Sequence, residues 1–399
     1  MHIQNSTGRL LRSNKTYSRR GNISALAAAS MTLVIGFTAF TTDVGFILHT
    51  RSQMQAAADG SVLSAALELP NGWGAGSTLT RGQVEANAQV AAQAVAVTYR
   101  VGEQPAAYLD PTRDMRFGNR SKDAQGQWVE SWNVQPYNMV EVTIRRDQPL
   151  QGTSATRGDQ SLPLYFGPLL GTNYTSLISK STAVLAPGNG FYIPPGSSST
   201  CPLLPLAIDE TTWNALIQNG KGWDNYKYNS NGTVSLGVDG LKEVSLYPTA
   251  AGSLPSGNRG SVDIGSSNNS TADLSRQIRF GCNVADLAFF GGKLQIPATG
   301  SLPLNGDTGL SAGIKDDLEA IIGQPRAIPV FRSVSGPGNN AIYQIVKFVG
   351  VRVMYVKLTG SPSQKKVIIQ PAPIFDGTII RSSETLQPES IMASLQIIR

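Results

Sequence analysis

The first half-century of residues changes pattern abruptly at Asp43. From Gly21 to Thr42 the chain runs through 22 consecutive uncharged residues, GNISALAAASMTLVIGFTAFTT. A helix rising about 1.5 Å per residue needs roughly 20 apolar residues to cross the hydrocarbon core of a bilayer, so this run predicts a membrane-spanning helix. Beyond Asp43 the apolar positions become periodic: Ile47, Met54, Ala58, Val62, Ala65 and Leu69 fall 7, 4, 4, 3 and 4 apart. That spacing is one stripe of a 3.6-residue helix, with Arg51, Gln53 and Gln55 off the stripe. No proline interrupts the sequence before Pro70, and Asn71-Gly72 supplies a stop. One continuous helix over 21–69 is therefore expected, apolar all round at first and amphipathic afterwards. Its stripe has two readings, packing on the chain's own exported body or packing against other subunits.

Downstream the periods are shorter. Arg81 to Val101 reads as a second helix, with Val84, Ala88, Ala91, Val95 and Thr98 on one face. Residues 115–119, 127–132 and 139–146 read as strands, the last alternating Val140, Val142 and Ile144 against Glu141, Thr143 and Arg145. Leu164–Gly171 (LYFGPLLG) reads as a helical turn and 176–187 as another strand. The Pro/Gly/Ser-rich 187–200 reads as a linker or exposed loop. After it come a helix from about Glu210 to Gln218, turns over 252–270, and a helix over Ser311–Ile322 ended by Gly323 and Pro325. Strands follow at 326–331, at 341–359 with a break near Gly350, and at 366–370. No internal repeat is apparent. The fold class expected is α+β: a long N-terminal transmembrane and amphipathic helix, then a small antiparallel-sheet domain, then a β-rich C-terminal domain. The divisions are a basic leader 1–20, the helix 21–69, an α+β exported domain 70–187, a linker 188–200 and a β-rich exported domain 201–399.

Composition refines this in three ways. With 41 Gly, 23 Pro and 15% charged residues in 399, short strands and turns are favoured over a helical bundle. The net charge of +6 is almost wholly local: the first 20 residues hold 5 of 33 cations and none of 27 anions, leaving 28 against 27 elsewhere. Nucleic-acid binding is thereby disfavoured. The cations Arg9, Arg12, Lys15, Arg19 and Arg20 flank the apolar run on one side and set the orientation, N-terminus in the cytoplasm and the body outside. The expected place is a single pass through the inner membrane with the body in the periplasm. Cys201 and Cys282, an even pair in an oxidising compartment, read as one disulfide, with two buried free thiols as the other reading.

The N-terminal run resembles a known family. Arg19, Arg20 and Gly21 before the apolar helix, Asp43 and Gly45 at its outer end, then Met54, Gln55, Ala57, Ala58, Asp59, Leu63 and Ala65 follow a pattern similar to that of the TadE/TadG-like proteins of tight-adherence (Flp-type) pilus assembly. The resemblance covers about 47 of the 399 residues. GNRGSVDIG and IGQPRAIPVF also resemble segments in the C-terminal regions of some such proteins. It implies a membrane-anchored, non-enzymatic component that contacts other pilus-assembly or envelope proteins. Pilins cut by the prepilin peptidase carry Gly before the cut and Glu five residues after it. Here Gly21 is followed at that distance by Leu26, which favours a subunit that keeps its leader. Ordinary signal peptidase cleavage after Thr41 is a lesser alternative.

Candidate chemistry is sparse. His2 and His49 are the only histidines, so a Ser-His-Asp, Cys-His or histidine-based zinc site in the body lacks its base or ligands. Neither a phosphate loop nor a dinucleotide fingerprint occurs. Some members of the resembled family carry a divalent-ion loop, Asp-x-Ser-x-Ser. Asp263-Ile264-Gly265-Ser266-Ser267 comes nearest, with Gly in the first Ser place, and reads as a plain turn. Asp316, Asp317 and Glu319 open a helix, where carboxylates complement its positive end. Asp43 is expected to be solvated at the interface instead of relaying protons, and Asp59 either faces water or pairs with a partner. No cofactor, metal, catalytic residue or small-molecule substrate is assigned. The expected partners are the lipid bilayer and envelope proteins. The alternative is an anchored enzyme or ligand-binding protein whose active module is 201–399.

Overall fold

The computed structural model describes residues 23–72, 79–149, 157–246, 260–265, 270–307, 311–336, 340–361, 364–384, 386 and 392–398. Helix α1 is unbroken over Ile23–Glu68, 46 residues, and tightens into a 3-10 turn at Leu69–Gly72. Helix α2 covers Arg81–Ala96. Gln83 reaches back from its first turn to accept the Thr80 backbone N–H at 2.8 Å, one half of a capping box. The short α3 (Pro111–Asp114) leads into β1 (Met115–Lys122), β2 (Trp128–Trp132) and β3 (Met139–Arg146). Two-residue strands β4 (Leu162–Pro163) and β5 (Tyr174–Thr175) form a hairpin ahead of the 16-residue β6 (Leu177–Tyr192).

The second half begins with β7 (Ile208–Asp209) and α4 (Glu210–Asn219), whose N-cap Asp209 accepts the Thr212 amide at 2.8 Å. Short strands β8 (Tyr226–Tyr228), β9 (Val234–Leu236), β10 (Val244–Ser245) and β11 (Ser261–Val262) follow, then α5 (Thr271–Phe280) and α6 (Val284–Ala288). Next come β12 (Lys293–Gln295), β13 (Leu302–Asp307), α7 (Lys315–Glu319), β14 (Pro325–Ser335) and β15 (Ala341–Lys357). The chain closes with β16 (Lys366–Pro371), β17 (Ile374–Phe375), β18 (Ile379–Arg381) and β19 (Met392–Ile398).

Two sheets result. The first has the order β17-β19-β6-β3-β1-β2, with β12 and β18 on the far end of β6. The second has the order β10-β16-β15-β13-β11, with β14 also on β15 and β7 on β14. Strand β6 runs through Pro187 to Tyr192 and hydrogen-bonds there with β12 and β18, while β19 lies antiparallel beside its middle, Thr182 to Pro187. Strands from 201–399 are thus stitched into the sheet built by 70–187. A shared core holds the two together, including Phe191 edge-on to Phe348 at 5.6 Å between ring centres.

The amphipathic half of α1 lies across the first sheet. Met54, Ala58, Val62, Ala65 and Leu69, all expected on the stripe, are buried with α2 and with Val140, Val142 and Ile144 of β3. The stripe therefore packs on the chain's own body. Small residues crowd this core: Ala57, Ala58, Ala65 and Ala66 of α1 and Ala88, Ala92 and Ala96 of α2 are each fully buried in it. Ser64 Oγ donates across to the Ala91 carbonyl at 3.2 Å. The face of α2 differs from expectation, since Val84, Ala88, Ala92 and Ala96 are buried while Thr98 is exposed and outside the helix. With alanine at so many positions, apolarity alone does not fix which side turns inward.

Three further expectations change. Ser311–Ile322 is a 3-10 turn, Ala312–Ile314, followed by the five-residue α7. β15 passes Gly350 without a break, and its irregularity against β16 lies between Val353 and Tyr355. Helix α5, absent from the periodicity reading, is capped by Ser270, whose side chain accepts the Asp273 amide at 3.0 Å.

Candidate anchor and assembly site

Residues 23–42 of α1 stand clear of the body. Leu26 and Phe37 are 71% exposed and Phe40 63%, in the one helix among the described residues long and apolar enough to cross a membrane. The threonines are internally satisfied: the hydroxyls of Thr32, Thr38, Thr41 and Thr42 donate to the carbonyls four residues earlier at 2.7–2.9 Å. In hydrocarbon an unmet hydroxyl is costly, and this back-bonding lowers that cost for a Thr-rich helix. Arg19, Arg20, Gly21 and His2 lie outside the described residues.

Asp43 ends the bare segment, and the structure corrects its expected role. Instead of lying in interfacial water it is buried, 8% exposed, against the body. Its Oδ1 accepts the Tyr165 amide at 2.9 Å and its Oδ2 the Phe166 amide at 3.1 Å. Phe46, one turn on, meets the Tyr165 ring at 5.0 Å. A carboxylate taking two backbone N–H groups is a charge-assisted clamp, and it fixes the loop after β4 to the helix. Beside Gly45 the space is open; a Cβ there would meet nothing within 4 Å.

Further along, polar residues off the stripe bind the body too. Gln55 donates to Asp59 Oδ1 at 2.8 Å and to the Lys180 carbonyl of β6 at 3.2 Å. Asp59 is thereby half-buried and engaged within the chain. Gln53 bonds His49 at 3.0 Å and accepts the Gly102 amide at 2.8 Å.

The other candidate residues make contacts within the fold. Among the described residues no group of three or more His, Cys, Asp or Glu is placed to hold a metal. Asp263 is buried and its amide donates to the Asn305 carbonyl at 2.7 Å, while Ser266 and Ser267 lie outside the described residues. Of the three carboxylates near α7, Asp317 pairs with Arg279 of α5 and Glu319 with Lys315 at 2.8 Å; Asp316 stays largely exposed. The sequence reading missed Glu243, which is fully buried and accepts the amides of Asn225 and Tyr226 at 3.0 and 2.8 Å. Burial, foremost, holds its carboxyl above the ordinary value despite those two donors. No local motif marks it; only the fold brings β8 to it.

Cys201 and Cys282 are both buried free thiols. They face each other in an antiparallel bridge, exchanging backbone bonds of 2.8 and 3.1 Å. The hydrogen bond with Cys201, then burial, pushes the Cys282 thiol up.

A single helix, bare and long and apolar enough to cross a membrane in its first half and buried in an α+β body in its second, is the class of arrangement found here. Residues 21–68 match the family described as putative Flp pilus-assembly TadE/G-like, and the match ends where α1 ends. No curated protein and no solved structure matches the chain.

Proposed function

We propose that the chain is a non-enzymatic, single-pass component of a Flp/Tad-type pilus assembly system. In this reading the N-terminus lies in the cytoplasm, 23–42 cross the inner membrane, and the body stands in the periplasm. The observation that carries it is the helix that matches the pilus-assembly family while leaving 23–42 uncovered. Because Met54, Ala58 and Val62 are already buried in the body, partners must be met elsewhere. Two surfaces remain: the bare segment inside the bilayer, and exposed faces of the body. One such face is the edge strand β2 with Trp128 and Trp132 under Arg120 and Arg116, whose guanidinium carbons stand 4.7 and 3.8 Å from the ring centres.

The test is co-purification of the detergent-extracted chain with the other components of its pilus system. Replacing 23–42 by an unrelated apolar helix of equal length keeps the body intact and asks whether that segment carries the contact. Failure of the unaltered chain to bring down any pilus component would overturn the assignment.

A further inference from the structure

The loop that Asp43 clamps has an unusual surface. It joins β4 to β5, and between Asp159 and Lys180 the chain has no charged residue. Its outward side chains are apolar: Tyr165 is 65% exposed, Leu169 78% and Leu170 82%, with Phe166 beside them at 37%. Soluble surfaces rarely gather such residues at one tip, and an exposed apolar patch of this kind marks an interaction site. Its backbone is largely turned inward. Leu164 bonds Asn173, Leu169 bonds Phe166, Gly171 bonds Pro168 and Thr172 bonds Gly167, at 3.0–3.2 Å, while Tyr165 and Phe166 bond Asp43. A loop with its amides spent internally can leave water at low cost. Gly171 ends the turn with φ at +80°, a conformation that suits glycine.

Position decides what covers it. Asp43 is the first charged residue after the uncharged run, so it stands where α1 leaves hydrocarbon, and its two hydrogen bonds hold the loop at that level. The loop is thus continuous with the exposed flank of α1, where Phe40 is 63% exposed. We infer that this loop seats in the membrane interface of the leaflet on the body side, Leu169 and Leu170 entering the acyl boundary and Tyr165 lying at headgroup level. The inference rests on the reading that 23–42 cross the membrane. An aromatic and two leucines at a bilayer surface follow the preference of such side chains for that boundary. The contact fixes the tilt of helix and body together relative to the bilayer, which a single membrane-spanning helix alone leaves free.

The experiment is spin labelling of the full chain in nanodiscs of phosphatidylethanolamine and phosphatidylglycerol. Leu170→Cys carries the label, with Phe40→Cys in the span and Leu236→Cys on β9 as references. The unsubstituted chain measures any labelling of the buried Cys201 and Cys282. Collisional access to oxygen against a water-soluble nickel chelate reads depth. The inference expects oxygen access to exceed nickel access at 170 as at 40, with the order reversed at 236. In a Leu170→Cys chain that also carries Leu169→Asp, that excess at 170 is expected to be lost while the circular dichroism spectrum stays unchanged. An aqueous profile at 170 with a lipid profile at 40 overturns the loop contact alone. An aqueous profile at 40 overturns the anchor, and the loop contact with it. A label at 170 shielded from both reagents indicates a protein on this patch, and also overturns the lipid contact.

Discussion

Asp43 accepts the backbone N–H of Phe166 at 3.1 Å across 123 residues of chain, joining the end of the apolar helix run to a loop of the body. The helix is therefore coupled to the body at the end of its apolar run as well as along its buried stripe. Replacing Asp43 by Ala leaves two amides without their acceptor, at a cost of about 1–3 kcal/mol for a group stranded in a buried place. Asp43→Asn keeps one carbonyl oxygen and should cost less. Thermal unfolding in detergent ranks the two, and limited proteolysis should open the 164–172 loop first in the alanine variant.

The alanine seam between α1 and α2 makes a contrast within one helix. Ala92 is fully buried against α1 whereas Ala94, two residues on, is exposed. Ala92→Leu should destabilise the chain by about 1–3 kcal/mol through overpacking, and Ala94→Leu should be nearly neutral. Equal effects on the unfolding midpoint would contradict this packing.

Cys201 and Cys282 stand across from each other, and hydrogen-bonded antiparallel pairs hold their Cα atoms about 5.5 Å apart, within disulfide reach. The reaction joins two thiols with loss of two protons and two electrons to a partner disulfide. Because the thiolate is the attacking species, burial and the raised Cys282 value slow it in the folded chain. Chain exported to an oxidising compartment should therefore carry the bond from folding onward, while chain folded in a reducing cytoplasm should stay reduced for long. Mass spectrometry after alkylation, with and without reductant, separates the two. A closed loop of about 80 residues adds roughly 4–5 kcal/mol in the chain-entropy picture.

Glu210 opens α4 and is hydrogen-bonded by Arg332, which, foremost, holds its carboxyl below the ordinary 4.5. A depressed folded value stabilises above 4.5, and that contribution is lost as pH falls through the folded value. The pair is partly exposed, so salt and solvent keep its effect small. In Arg332→Gln the Glu210 titration, followed by carboxyl NMR, should move up toward 4.5; an unchanged curve would show that the ion pair is not the cause.

Much of this protein was legible in its residue pattern. The uncharged run, the stripe from Met54 to Leu69 and the alternation of Val140, Val142 and Ile144 are local periodicities, and helix or strand geometry turns each into a buried or bare face. Such signals need no knowledge of what lies opposite. The pairings did. That β19 lies beside β6, that β8 brings its amides to Glu243, and that Asp43 grips the 165–166 amides are contacts between distant segments. Nothing in the local pattern of a carboxylate tells water from a backbone N–H as its partner. Where α1 packs was decided the same way: the stripe set which residues must leave water, and only the assembled sheet, by offering β3 and β6 as the nearest apolar surface, decided that the chain's own body would cover them.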